Sequence, residues 1–200
     1  MKILLTGFDP FNGETTNPAL EAVKRVRTPS GVQLIRLEVP TVFGLSLDTV
    51  ARAMEAHRPD VVLCIGQAGG RSTITPERVA INLMDATIAD NRGFIPEDQP
   101  IFPGDENALF STLPVKDMVK AIRQADLPAS LSCSAGTFVC NQLLYGVLRL
   151  CRDQYPETRA GFIHVPFLPE QTAGKPELPS LPLDRIVKGL EAVLELLSQA

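Results

Sequence analysis

Residues Val61 to Ile65 read Val-Val-Leu-Cys-Ile, an unbroken apolar run entered from Pro59-Asp60 and left through Gly66-Gln67-Ala68-Gly69-Gly70. A strand without polar alternation is apolar on both faces, so both must be covered. A parallel sheet held between two layers of helices meets that demand.

The rest of the chain repeats the theme, alternating short β-branched runs with longer amphipathic stretches. Strands are expected at Lys2 to Thr6, Val32 to Val39, Arg78 to Met84, Ala129 to Cys133 and Ala160 to Val165. Helices are expected from Asn17-Pro18, from Leu45 to His57, Val115 to Gln124 and Val139 to Gln154, and over a final stripe from Leu183 to Leu197. Asn17 as N-cap with Pro18 at the first helical position is a sound start. The pattern is α/β, read as a single-domain three-layer α/β/α sandwich over residues 1–200 with a mostly parallel twisted sheet, of the phosphorylase/hydrolase-like kind. Two segments fall outside it. Asp85 to about Asn107 is rich in Pro, Gly, Asp and Asn and long enough to be expected over a site. The prolines from Pro166 to Pro182 should bar regular structure.

Composition narrows the partners. A net charge of −4 with interspersed signs offers no basic stripe for nucleic acid and no polybasic patch for anionic lipid. No stretch approaches the roughly eighteen apolar residues of a membrane helix, and the first strand ends in Gly7-Phe8-Asp9-Pro10 rather than a cleavage site. A soluble, cytoplasmic protein is expected. The four cysteines lack the close framework of a secreted scaffold, and with two histidines and no Cys-x-x-Cys there is little from which to build a zinc site. Neither metal nor cofactor is expected.

In open α/β sheets, ligands gather outside the carboxyl ends of the strands. Those exits read Gly7-Phe8-Asp9-Pro10-Phe11, Gly66-Gln67-Ala68-Gly69-Gly70-Arg71, Ser134-Ala135-Gly136-Thr137-Phe138 and His164-Val165-Pro166-Phe167. The third leads into Cys140 at a helix mouth, where free N–H groups and the helix dipole favour a thiolate. Cys140 also lies on the apolar stripe that continues through Leu143, Leu144, Val147, Leu148 and Cys151. Buried cysteines are usually inert, so a structural reading stands beside the nucleophilic one. His164 follows after one helix and one strand, which returns the chain to the same sheet end. An imidazole there can take the thiol proton and later pass it to a leaving amine. A third group should orient that imidazole, but Asp9, Glu77, Asp85, Asp90 and Asp105 all lie in suitable loops, and spacing does not choose among them. His57 is simply a cation at a helix C-terminus. The glycine loop fits neither dinucleotide nor P-loop patterns, and suits close backbone approach to a small ligand or a tight turn.

Two segments are more specific. Gly66-Gln67-Ala68-Gly69-Gly70-Arg71 continuing through Thr75-Pro76-Glu77-Arg78-Val79-Ala80-Ile81-Asn82, and Ser132-Cys133-Ser134-Ala135-Gly136-Thr137-Phe138-Val139-Cys140-Asn141, resemble the type I pyroglutamyl peptidases. These are cytosolic cysteine peptidases of family C15, also called pyrrolidone carboxyl peptidases. The likeness runs essentially end to end. It implies removal of an N-terminal pyroglutamate from peptides by a Cys140, His164 and Glu77 triad, without metal. It further implies that Phe8, Phe11, Thr41, Ile88, Phe138 and Val139 line the lactam pocket, that Asn17 and the backbone of Gln67 fix the ring and neighbouring chain, and that the protein is a homo-oligomer, commonly a tetramer. Asn12 and Ala19 stand where many relatives have Gly and Ser. The alternatives are a nucleoside phosphorylase-like transferase that binds phosphate on the glycine loop, or a noncatalytic small-metabolite-binding protein.

Overall fold

The computed structural model describes residues 1–199. Five strands form the central sheet: β1 (Lys2–Phe8), β2 (Gln33–Val39), β3 (Val61–Gln67), β4 (Thr75–Glu77) and β7 (Arg159–Val165). Their order is β2-β1-β3-β7-β4, with every pair parallel except the edge strand β4, which runs antiparallel to β7. The apolar run of β3 lies at the centre of the sheet and is fully buried from Val61 to Ile65. Covering a Val, Leu or Ile side chain in this way contributes about 1.5–3 kcal/mol.

Helices α1 (Pro18–Arg25), α3 (Val115–Gln124) and α5 (Leu183–Ser198) cover one face, and α2 (Leu45–His57) and α4 (Val139–Gln154) the other. Strand pleating sorts the side chains. Val61, Leu63, Ile65, Ile163 and Val165 enter the first layer, while Val62, Cys64, Ala160 and Phe162 enter the second. His164 shares the parity of Phe162, so the imidazole stands on the face that α4 covers.

The expected helices fall where periodicity placed them. The strand expectations need two corrections. Arg78 to Met84 is not one strand of the sheet: the chain bends after Glu77, and only β5 (Val79–Ile81) remains extended, paired with β6 (Ala108–Phe110) in a separate ribbon. Ala129 to Cys133 runs parallel to β4 but touches it only through isolated bridges, Ile74 with Ala129 and Glu77 with Ser132. Pro76 suits an edge position, since it has no N–H to donate. The proline-rich segment also holds one short 3₁₀ helix, Pro169–Thr172. No helix among the described residues is long and apolar enough to cross a membrane.

Gly7 marks the closest approach of helix to sheet. A Cβ there would lie 2.7 Å from Leu20 Cα and 3.1 Å from the Ala19 carbonyl oxygen, backbone atoms that cannot swing aside. Gly7→Ala is therefore expected to destabilise the fold by about 1–3 kcal/mol, read as a lowered urea midpoint with unchanged slope.

Candidate active site

At the carboxyl ends of β1, β3 and β7 lies a cavity of about 280 Å³, lined by Phe8, Phe11, Asn17, Thr41, Gln67, Phe138, Cys140 and His164 among others. Cys140 is the second residue of α4, whose N-cap is Phe138 in extended backbone; no side chain caps this helix. Its first-turn N–H groups therefore point at the cavity end without a local acceptor. Gly136, at φ +78°, makes the bend that precedes it.

Gly66 shows how tightly the thiol is seated. Its β7 partner is His164, and a Cβ on it would come within 2.7 Å of the Phe162 ring and 2.9 Å of Cys140 Sγ. A Cβ on Gly69 would strike the Phe167 ring at 2.3 Å. The glycine loop thus makes room for side chains of the protein itself. Gly70, at φ +83° with open space around it, makes the expected tight turn, closed by Arg71 N–H donating to Ala68 O at 3.4 Å.

His164 is 3% exposed, and its Nδ1 lies 2.8 Å from Glu77 Oε1. The antiparallel register of β4 causes this. Thr75 pairs with His164 and Glu77 with Phe162, so Glu77 and His164 are diagonal neighbours on one face. Of the five acids left open by spacing, Glu77 is the one that meets the imidazole. Asp9 accepts from Thr41 N and Asn91, Asp85 from Asp98 N, and Asp90 from the backbone of Phe43, Arg92 and Phe94, while Asp105 pairs with Arg149 and Arg152.

Protonation follows from burial. Burial holds the His164 imidazole below its ordinary value, against the opposing pull of Glu77. Burial alone would raise Glu77, but its hydrogen bonds, first to His164, hold it below the ordinary carboxylate value. The resting pair is accordingly a neutral imidazole donating Nδ1–H to a carboxylate, with Nε2 left as a base. Burial pushes the Cys140 thiol up to about 12, with the Glu77 charge acting in the same direction. These influences oppose the expected easing of ionisation at the helix mouth. Cys64 and Cys151, likewise pushed up to about 12 by burial, lie in the core beneath.

The aromatic wall is continuous: Phe11 and Phe43 both contact Phe138, at centroid separations of 6.0 and 5.3 Å. Asn17 is held by its own bonds, donating to the Asp9 carbonyl and capping α1 at Ala19 N. Thr41 Oγ1 donates to the same carbonyl, and Gln67 Oε1 accepts from Gln171. Two expected lining residues are absent from the cavity wall. Val139 is fully buried in the core cluster beneath α4, because the helical turn that exposes Cys140 points its neighbour inward. Ile88 sits 37% exposed on the 85–107 loop. That loop is tied to the rim, with Asn91 donating to Pro10 O and Thr137 Oγ1 to Asp85 O. It flanks the cavity.

The residue that motif reading passed over is Arg71. Its Nη1 donates to Glu77 Oε1 at 2.6 Å and to Thr75 Oγ1 at 2.7 Å, and its Nη2 to Ser134 O at 2.9 Å. The available signal was a cation closing a glycine-rich strand exit. Asn141 was also missed. Fully buried, it bonds the backbone of Ile81 and Leu83 and anchors the first turn of α4. Among the described residues, no three His, Cys, Asp or Glu side chains converge as metal ligands do.

A thiol and a carboxylate-oriented imidazole sharing one apolar cavity form the constellation of a cysteine-type hydrolase, in which attack and proton transfer need no further group. Comparison with known proteins narrows that class. The pyroglutamyl peptidase family model matches residues 1–200, and the chain belongs to that family. It is 54% identical over 192 residues to the pyrrolidone-carboxylate peptidase of Clostridium botulinum, covering 96% of this chain and 90% of that one. It is 55% identical over 195 residues to that of Levilactobacillus brevis, covering 97% and 96%. The crystal structure of Bacillus amyloliquefaciens pyroglutamyl peptidase I superposes with a TM-score of 0.96 at 47% identity, covering 100% of this chain and 97% of that one.

Both shifts at the Glu77–His164 pair make the folded chain bind protons less readily than the unfolded one, so stability is present above the ordinary values and lost on acidification. Urea midpoints are expected to fall as pH drops below the ordinary imidazole value of 6.5 and again below the ordinary carboxylate value of 4.5. His164→Gln should flatten the first part of that profile; an equally steep fall in the variant would contradict the assignment.

Proposed function

We propose that the chain, acting as one catalytic domain over residues 1–200, removes an N-terminal pyroglutamate (5-oxoproline) from peptides through a thioester intermediate. The observation that carries this reading is the tie between His164 Nδ1 and Glu77 Oε1 at 2.8 Å, on the wall of the cavity that Cys140 also lines. Family membership along the whole chain supports the choice of substrate.

A thiol raised by burial beside a neutral imidazole sets the order of events. As Cys140 Sγ attacks the carbonyl that joins pyroglutamate to the next residue, its proton passes to His164 Nε2. Glu77 stabilises the imidazolium that forms. Backbone N–H groups at the mouth of α4, that of Cys140 included, hold the oxyanion. The proton then moves to the leaving amine, the C–N bond breaks, and a thioester remains. Water, deprotonated by His164, releases 5-oxoproline.

The cavity suits an uncharged five-membered lactam. The rings of Phe8, Phe11 and Phe138 hold its methylenes, while Asn17, Thr41 and main-chain groups near Gln67 are placed to pair with its N–H and C=O. A free glutamate or charged amino terminus would lose hydration there without a compensating partner. A phosphate-binding transferase is less well supported, because the glycine loop is filled by Cys140 and Phe167. The reading includes a cytoplasmic protein without metal or cofactor, and without nucleic-acid or membrane partners. It also includes a homo-oligomer, a tetramer by family resemblance. The exposed Phe110, Ile95 and Phe94 supply apolar surface for association, which sedimentation equilibrium would measure.

Purified protein is expected to release a chromophore from a pyroglutamyl amide, and Cys140→Ser to lose at least about a thousandfold in kcat. Glu77→Gln should lose about 10²- to 10⁴-fold, since it no longer selects the working tautomer. Equal rates for wild type and Cys140→Ser would remove the thiol mechanism.

A further inference from the structure

Glu77 presents an electrostatic problem. Its side chain is 0% exposed, its Oε2 has no hydrogen-bond partner, and its Oε1 carries every bond it makes. A carboxylate so placed takes up a proton unless a charge compensates it, and a neutral imidazole carries no charge. The Ser132 hydroxyl, beside it across an isolated bridge, is bonded to the Ser134 backbone and also helps to hold Glu77 low, but it carries no charge. The compensating charge is the Arg71 guanidinium, 2.6 Å from Oε1.

The second arm of that guanidinium reaches elsewhere. Nη2 holds the Ser134 carbonyl, in the turn whose Ala135 and Gly136 line the cavity and lead into Cys140. Two separate segments, the acid on β4 and the turn before α4, are thus fixed by one rigid planar cation. A fork with donors in fixed directions can do this, and a point-charge ammonium cannot.

We propose that Arg71 is a positioning residue of this site: it supplies the charge that lets Glu77 remain a buried carboxylate aimed at His164, and it locks the Ser134 turn in register with that acid. The inference rests on the assignment of Cys140, His164 and Glu77 made above. It acts through Glu77, without transferring a proton or electrons.

The ionisable groups facing the Glu77–His164 pair are Arg71 from the β3 exit and Cys140 from α4. Removing the one cation among them makes proton uptake by the pair easier. Arg71→Ala should therefore lose about 10- to 100-fold in kcat with KM nearly unchanged, and the acid limb of its kcat/KM profile should move to higher pH. Added guanidinium ion should restore part of the activity in a saturable way and return the limb. Arg71→Lys keeps the charge and loses the fork, so its limb should stay in place while kcat recovers only partly. Wild-type kcat and limb in Arg71→Ala would overturn the proposal. So would a loss of activity with an unmoved limb and no response to guanidinium in a variant whose thermal melt is that of the wild type. Alkylation of Cys140 by iodoacetamide, followed by mass over the same pH range, reads the limb without substrate. A wild type that fails on pyroglutamyl amides yet shows the shift in Arg71→Ala would reject the substrate reading and keep the role of Arg71.

Discussion

The hydrogen bond between a buried carboxylate and a buried imidazole is the constraint on which this site depends. Either group alone would be driven to its neutral form by burial. Together they hold one tautomer, fix the ring against the Phe162 side chain at a centroid separation of 4.7 Å, and leave a single basic nitrogen. The sheet accommodates them because β4 reverses direction at its edge. A parallel strand in that place would present its side chains in a different diagonal relation to β7.

The thiol reaches the same face by an independent route. The pleat assigns His164 to the layer of α4, the bend at Gly136 opens that helix toward the strand ends, and the missing Cβ of Gly66 lets sulfur lie against β3. None of these features is chemical in itself. The chemistry arises because they coincide at one end of the sheet, which is also where open α/β folds leave room for ligands.

Much of this was legible in the residues. The apolar run of β3 required two covering layers, Asn17-Pro18 announced α1, and the exits containing Cys140 and His164 pointed to a shared end. The edge of the sheet was not legible. Thr75-Pro76-Glu77 is three residues long and contains a proline, so no periodicity reveals it, and its antiparallel sense comes from tertiary contacts. Local physics therefore could not select Glu77 over the other acids, and family resemblance did. Arg71 escaped notice for a related reason: its partners, Glu77 and Ser134, lie 6 and 63 positions away in the chain. Ile88 and Val139, which the resemblance assigns to the pocket, do not line this cavity: Val139 turns into the core beneath α4 and Ile88 lies on the 85–107 loop.

Parity along β7 has a further consequence. Side chains alternate between the two helical layers, so a slip of one residue between β3 and β7 would turn the imidazole into the layer of α1, α3 and α5, away from sulfur, while leaving helix and strand content intact. Turnover in such a chain reports registry as a switch does, on or off. A preparation that looks fully folded by far-ultraviolet dichroism yet is inert would thus carry its fault in the alignment of two neighbouring strands, a defect that spectroscopy of the backbone does not see.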